Sequence, residues 1–137
     1  MSGRYLLDTN TVIFFLKGNQ TVVDSWMKTA PTDVRISTIT LFELYVGATT
    51  STKPHERRHQ LHILLKTIET IPFQAVEAEK AANIKADLKS KGQGIGPLDT
   101  LIAGSALAHN LILVTNNTDE FNRVQGLRCL DWTKTQS

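Results

Sequence analysis

At 137 residues, with 41% hydrophobic and 20% charged side chains, the chain can bury one proper core and is too apolar for a disordered segment. Its lone cysteine, Cys129, excludes an internal disulfide and suits a reducing compartment, and no apolar run approaches the length of a membrane span. The net charge of +2 permits a nucleic-acid partner without arguing for one. The expectation is one domain over residues 1–137. Only a short apolar run, Tyr5-Leu6-Leu7, follows Arg4, too little for a signal peptide, so the expected location is the cytoplasm.

In chain order, Tyr5-Leu6-Leu7 is apolar on consecutive residues, as a strand covered on both faces should be, and it stops at Asp8-Thr9-Asn10. Phe14, Phe15 and Leu16 read as core, with a partner groove as the alternative, and Trp26 and Trp132 read as structural. Val34-Arg35-Ile36 is a weaker strand candidate. Ser37-Thr38-Ile39-Thr40 then precedes a helix through Gly47, in which Thr40 and Glu43 have the spacing of a capping box. After a loop at residues 49–54, Leu61, Leu64, Leu65 and Ile68 repeat with helical spacing. Thr70-Ile71-Pro72 is another weak strand. Ala78, Ala81, Ile84 and Leu88 form a second helical stripe, ended by Gly92. A loop at residues 91–97 leads to Pro97, which suits the first turn of a helix over 98–110. Ala103, Gly104, Ala106 and Ala108 would let that helix lie close to a sheet. Residues 111–114 are a second buried strand, stopping at Thr115-Asn116-Asn117, and Arg128-Cys129-Leu130 is a last candidate.

Short strands alternating with helices imply a parallel sheet with helices on both faces. Right-handed crossovers bring the strand ends to one edge, and ligands of such sheets sit outside the carboxyl ends of the strands. Asp8 directly follows the first strand, Asp119 and Glu120 follow the 111–114 strand, and Asp99 lies in the first turn of the helix before it. Glu43, in Leu41-Phe42-Glu43-Leu44-Tyr45, is flanked by large apolar residues and is expected to face a polar pocket. Converging carboxylates repel, and a divalent cation relieves that repulsion. Magnesium prefers such hard oxygen ligands, one or two carboxylates with waters, and can activate water against a phosphodiester. Each acid also has a structural reading: Asp8 as a helix cap, Glu43 as the partner of Thr40, Asp99 as a complement to the helix dipole, Asp119 and Glu120 as solvated charges.

At these residues the sequence resembles the PIN-domain ribonucleases, and among them the VapC-type toxins of toxin–antitoxin pairs. The likeness runs through Tyr5–Asn10, Ser37–Gly47, Ile95–Ala103 and Leu113–Asn117, and continues over Phe121 and residues 123–127. It implies a PIN-like three-layer α/β/α sandwich with a central parallel sheet and an acidic pocket for Mg2+ or Mn2+. The ligands it implies are Asp8 and Asp99, with Glu43 completing the pocket partly through water and Asn10, Thr115 and Asn116 as polar support. Many relatives carry an aspartate where this chain has Asn117; others place the acid immediately before the phenylalanine. Glu120 is therefore taken as the fourth catalytic acid, with Asp119 as the alternative. The resemblance further implies cleavage of single-stranded RNA to 3′-hydroxyl and 5′-phosphate ends, with initiator tRNA cut in its anticodon loop as the expected substrate. Implied partners are a VapB-type antitoxin, operator DNA through that antitoxin, and a second copy of the chain.

Two other constellations are set aside. His55, His59 and His62 have zinc-like spacing, but Arg57 and Arg58 among them would repel a cation, so they read as a solvated basic face. A receiver-like phosphoacceptor would want paired acids after the first strand and a lysine after a late one; Thr9-Asn10 and Thr115-Asn116 stand there instead. Lys85, Lys89 and Lys91 suit phosphate steering and equally suit an exposed helix end.

Overall fold

The structure, a computed structural model, describes residues 4–135. Its strands are β1 (Tyr5–Leu7), β2 (Val34–Ser37), β3 (Glu69–Ile71), β4 (Ile112–Val114) and β5 (Cys129–Leu130). They form one sheet in the order β3-β2-β1-β4-β5, with every neighbouring pair parallel. The helices are α1 (Thr9–Leu16), α2 (Gln20–Met27), α3 (Thr38–Thr49), α4 (Pro54–Leu65), α5 (Ala75–Ser90), α6 (Pro97–Ala108) and the short α7 (Thr118–Phe121).

Alternation along the strands sorts the core into two halves. Leu7, Val34, Ile36 and Val114 point toward Val12, Trp26, Leu44, Leu61 and Leu64, which come from α1 to α4. Leu6, Ile71 and Leu113 point the other way, toward Ile84, Leu88, Ile102, Ala103 and Phe121 of α5 to α7. Both faces of β1 and β4 are thus covered, which is why these two strands read as continuous apolar runs and not as alternating ones. The result is the expected three-layer α/β/α sandwich. Phe15 stacks on Trp26 at a centroid distance of 3.9 Å, so the 14–16 segment packs inward. No helix among the described residues is long and apolar enough to cross a membrane.

Several local expectations are corrected. The capping box at Thr40 and Glu43 does not form: α3 starts earlier, with Ser37 as N-cap accepting from the Ile39 amide at 3.0 Å. Glu43 thus lies inside the helix, and its carboxylate is free for another role. A capping box does form at Gln74 and Glu77, at the start of α5. Gly104 serves the approach of a helix, not of the sheet: a Cβ there would lie 2.7 Å from the Ala81 Cβ of α5. Ala103 and Ala106 do belong to the core half that contains Leu6 and Leu113. Ile68 is buried, but beyond the end of α4. α2 has no counterpart in the sequence reading, although Val22 and Trp26, its buried residues, stand one helical turn apart.

Asn110, between α6 and β4, has φ of 53° and lets the chain reverse into the strand. Asparagine tolerates this left-handed region better than most residues, and glycine better still. Asn110→Ala is expected to cost about 1 kcal/mol in chemical denaturation and Asn110→Gly distinctly less. Equal losses from both would show that the bond from Arg128 Nη2 to the Asn110 side chain matters more than the backbone.

Candidate active site

β1 lies between β2 and β4, so the connections leaving β1 and β4 diverge at their carboxyl ends and open a crevice there. Asp8 is the first residue beyond β1, joined to the neighbouring strand by its amide, which donates to Val114 O at 3.0 Å. The side chain is buried, at 5% exposure, and caps α1 by accepting from the Thr11 amide at 2.9 Å. Capping and a site role therefore coexist in one carboxylate. Burial pushes the Asp8 carboxyl above its ordinary range; the Thr115 hydroxyl and the Thr11 amide, both donating to it, only partly offset this.

Glu43 reaches the same edge from α3, where it accepts from the Thr9 hydroxyl at 2.6 Å. Asp99 stands in the first turn of α6, behind Pro97 at the helix start. Burial pushes its carboxyl up to about 6, and the charges of Glu120, Asp8 and Glu43 push the same way. Acids from three other elements are thus within electrostatic reach of Asp99. The ion pairs Arg35–Glu69, Lys91–Asp87 and His109–Glu77 all involve other acids.

Glu120, on α7, is held differently. Its Oε1 accepts from the Gly96 amide at 3.1 Å and its Oε2 from Asn117 Nδ2. These donors, with Arg123 nearby, hold its carboxyl below the usual range against a smaller effect of burial. Asp119 is exposed and is not among the charges that raise Asp99. Of the two candidates for the fourth acid, the structure thus brings Glu120 to the cluster and leaves Asp119 outside.

Of the supporting residues, Thr115 is fully buried and, besides serving Asp8, accepts from the Asn117 amide at 3.0 Å. Asn10 and Asn116 are exposed, in the first turn of α1 and after β4. The sequence reading missed Thr9, which holds Glu43, and the donors to Glu120, which are Gly96 and the Asn117 side chain. Their positions beside the acids were the only available signal. His55, His59 and His62 are exposed on α4. The Cys129 thiol, partly buried, is pushed up to about 11 by burial and by the charge of Asp8, so it is inert at neutral pH.

The donor set suits a hard divalent cation: it offers carboxylate oxygens whose mutual repulsion the protein leaves standing. Among the described residues no group of three acids, histidines or cysteines is gathered tightly enough to hold an ion unaided. A magnesium ion asks for less, one or two carboxylates with waters completing its shell.

A parallel-sheet sandwich with acids converging at its switch point is the layout of a PIN domain, and the family model of that description matches residues 5–127. The chain belongs to the PIN-domain family, in its VapC branch. It is 37% identical over 130 residues to the tRNA(fMet)-specific endonuclease VapC of Shigella flexneri, covering 95% of this chain and 98% of that protein. It is also 36% identical to Ribonuclease VapC2 of Haemophilus influenzae, over 94% of this chain and 98% of that protein. The VapC fold in the crystal structure of DNA-bound VapBC from Salmonella typhimurium superposes with a TM-score of 0.90 at 34% identity, over 95% of this chain and 98% of that one. VapBC2 from Rickettsia felis, bound to a promoter DNA fragment, gives a TM-score of 0.88 at 34% identity, over 93% and 98%.

Proposed function

We propose that this protein is the ribonuclease toxin of a toxin–antitoxin pair, a metal-dependent endonuclease that cuts initiator tRNA in its anticodon loop. The observation that carries the chemistry is the convergence of Asp8, Glu43 and Asp99, from three different elements, at the sheet's switch point. Substrate and partners follow from the relatives, which include tRNA(fMet)-specific endonucleases and VapBC complexes on DNA.

Asp8 and Asp99 would hold a Mg2+ ion, for which Mn2+ can substitute, and Glu43 would complete the pocket through water. When bound, the ion supplies charge neutralisation at the scissile phosphate and acidifies a water for attack. The chain's own residues do the positioning. Thr115 and Thr11 orient the Asp8 carboxylate, and Thr9 fixes one oxygen of Glu43. The start of α6 presents Asp99 to the same point. Growth arrest would follow from loss of initiator tRNA and end when a VapB-type antitoxin covers the site. A groove of about 610 Å³ suits a segment of that antitoxin: it has Ile13, Leu16 and Leu44 in its lining, Lys17 and Arg57 as cations, and Glu43 at the active site. Operator DNA would be reached only through the antitoxin. Self-association has an apolar surface available on α3, where Phe42 is 58% exposed and Val46 46%.

The purified protein incubated with total tRNA should cleave the initiator species, stop on addition of chelator, and resume with Mg2+ or Mn2+. Cleavage indifferent to chelator would reject the metal requirement, and cleavage spread over all tRNAs would reject the substrate. Binding of tRNA to an inactive variant should weaken linearly on a log–log plot against salt, as neutralised phosphates require. A flat salt dependence would remove the electrostatic component of recognition.

A further inference from the structure

The box expected at Thr40 and Glu43 does not form, and one hydroxyl is left over. Thr40 is fully buried, at 0% exposure, and its Oγ1 has no hydrogen-bond partner among the described residues. A threonine in a helix can return its hydroxyl to the carbonyl four residues back. Thr29, Thr50 and Thr100, in or next to helices, all do so, donating to Ser25 O, Val46 O and Gly96 O at 2.8, 2.8 and 3.0 Å. Thr40 is only the third residue of α3, and the residue four back, Ile36, belongs to β2. A fully buried donor without a partner forfeits the hydration it had in the unfolded chain, and such groups are few in native proteins.

The place of this hydroxyl gives it a use. Residues at i, i+3 and i+4 share one helix face, so Thr40 stands one turn behind Glu43 and Leu44. That face is turned to the start of α1: Glu43 accepts from the Thr9 hydroxyl, and Leu44 shares a core cluster with Val12. β1 and β2 run parallel with Leu6 opposite Arg35, so Asp8 leaves the sheet beside Ser37, the cap of α3. Thr40 therefore sits where α3 leaves the sheet, on the face that carries Glu43 and beside the strand end that delivers Asp8. The other threonines at this edge are committed: Thr9 to Glu43, Thr11 to Val114 O at 3.0 Å, and Thr115 to Asp8.

We propose that Thr40 is a positioning residue of the metal site, whose hydroxyl holds a water in the hydration shell of the ion bound by Asp8 and Asp99. This rests on the metal-nuclease reading. Magnesium ligated by one or two carboxylates keeps several waters, and polar groups around such a shell orient it. A hydroxyl suits that role here. It accepts a hydrogen bond from water without adding to the negative charge of Asp8, Glu43, Asp99 and Glu120. The same hydroxyl is unpaired in the metal-free fold, so its removal should act in opposite directions on stability and on ion affinity.

The test compares wild type, Thr40→Val and Thr40→Ser by melting in chelator and by titration with Mn2+. Valine keeps the shape and β-branching of threonine and removes the hydroxyl. Thr40→Val should therefore melt in chelator at or above the wild-type temperature, while its Mn2+ affinity falls by about tenfold or more. Thr40→Ser should melt lower, having lost a buried methyl, yet keep its Mn2+ affinity within about threefold. A chelator melting point of Thr40→Val lower than wild type by about 3 °C or more would give the hydroxyl a structural partner in the empty fold and overturn the proposal. Mn2+ affinity unchanged in Thr40→Val would overturn it too, as would an equal loss in Thr40→Ser, which would make the methyl and not the hydroxyl the requirement. In each of these cases the wild type still binds the ion, so the metal-nuclease reading stands. A wild type that binds no Mn2+ would overturn that reading, and the proposal with it.

Discussion

Asp99→Asn should cut tRNA cleavage by at least about 10²–10³-fold while making the metal-free fold more stable. The loss follows because an amide cannot supply the anionic oxygen that a hard cation prefers. The gain follows from linkage. The Asp99 carboxyl sits at about 6 in the folded chain against 3.8 ordinarily, raised by burial first and then by Glu120, Asp8 and Glu43. A raised acid binds its proton more tightly when folded, so the folded state is favoured at low pH and loses that advantage as pH climbs through about 6. At pH 7 the wild type carries the full cost, about 1 kcal/mol after allowance for solvent screening of a half-buried group, and the asparagine variant escapes it. Melting curves in chelator should therefore show Asp99→Asn ahead of wild type at pH 7 and level with it near pH 4. A variant that melts below wild type at pH 7, or that still cleaves at the wild-type rate, would remove Asp99 from the site. Asp8→Asn should be equally inactive but is the less clean comparison, since Asp8 also caps α1.

The second large effect is structural. Gly104→Ala places a Cβ 2.7 Å from the Ala81 Cβ, 2.8 Å from its amide nitrogen and 2.9 Å from its Cα. Two of those atoms are backbone, so no rotamer change relieves the contact and α5 must move away from α6. Overpacking of this kind costs about 3 kcal/mol, enough to appear as a clear fall in the denaturation midpoint. Ala81→Gly should rescue little, because the amide nitrogen and Cα remain in the way. Full rescue by the double variant would mean that the methyl alone was the obstacle.

Two of the corrections have a common origin. The Thr40–Glu43 spacing is that of a capping box, yet Ser37, standing where the strand ends, caps α3 instead and leaves Glu43 inside the helix to meet Thr9 of α1. The small residues of α6 were visible, but that Gly104 faces α5 depends on how two helices cross. Local pattern marks which residue types can start a helix or permit a close approach. It does not contain the partner.

What the sequence determined by itself was the alternation of elements and the position of the acids along the chain. Consecutive apolar residues at 5–7 and 112–114 require strands buried on both faces, and Asp8 and Asp99 sit where such strands and their helices begin or end. Only the tertiary structure decided which acids meet. Asp119 and Glu120 are adjacent and chemically alike, but one is exposed while the other is captured by Gly96 and Asn117. That choice depends in part on a donor brought from a loop 24 residues away. The loop meets α7 through the packing of α6 and β4 against β1, and no local pattern in a sequence encodes that meeting.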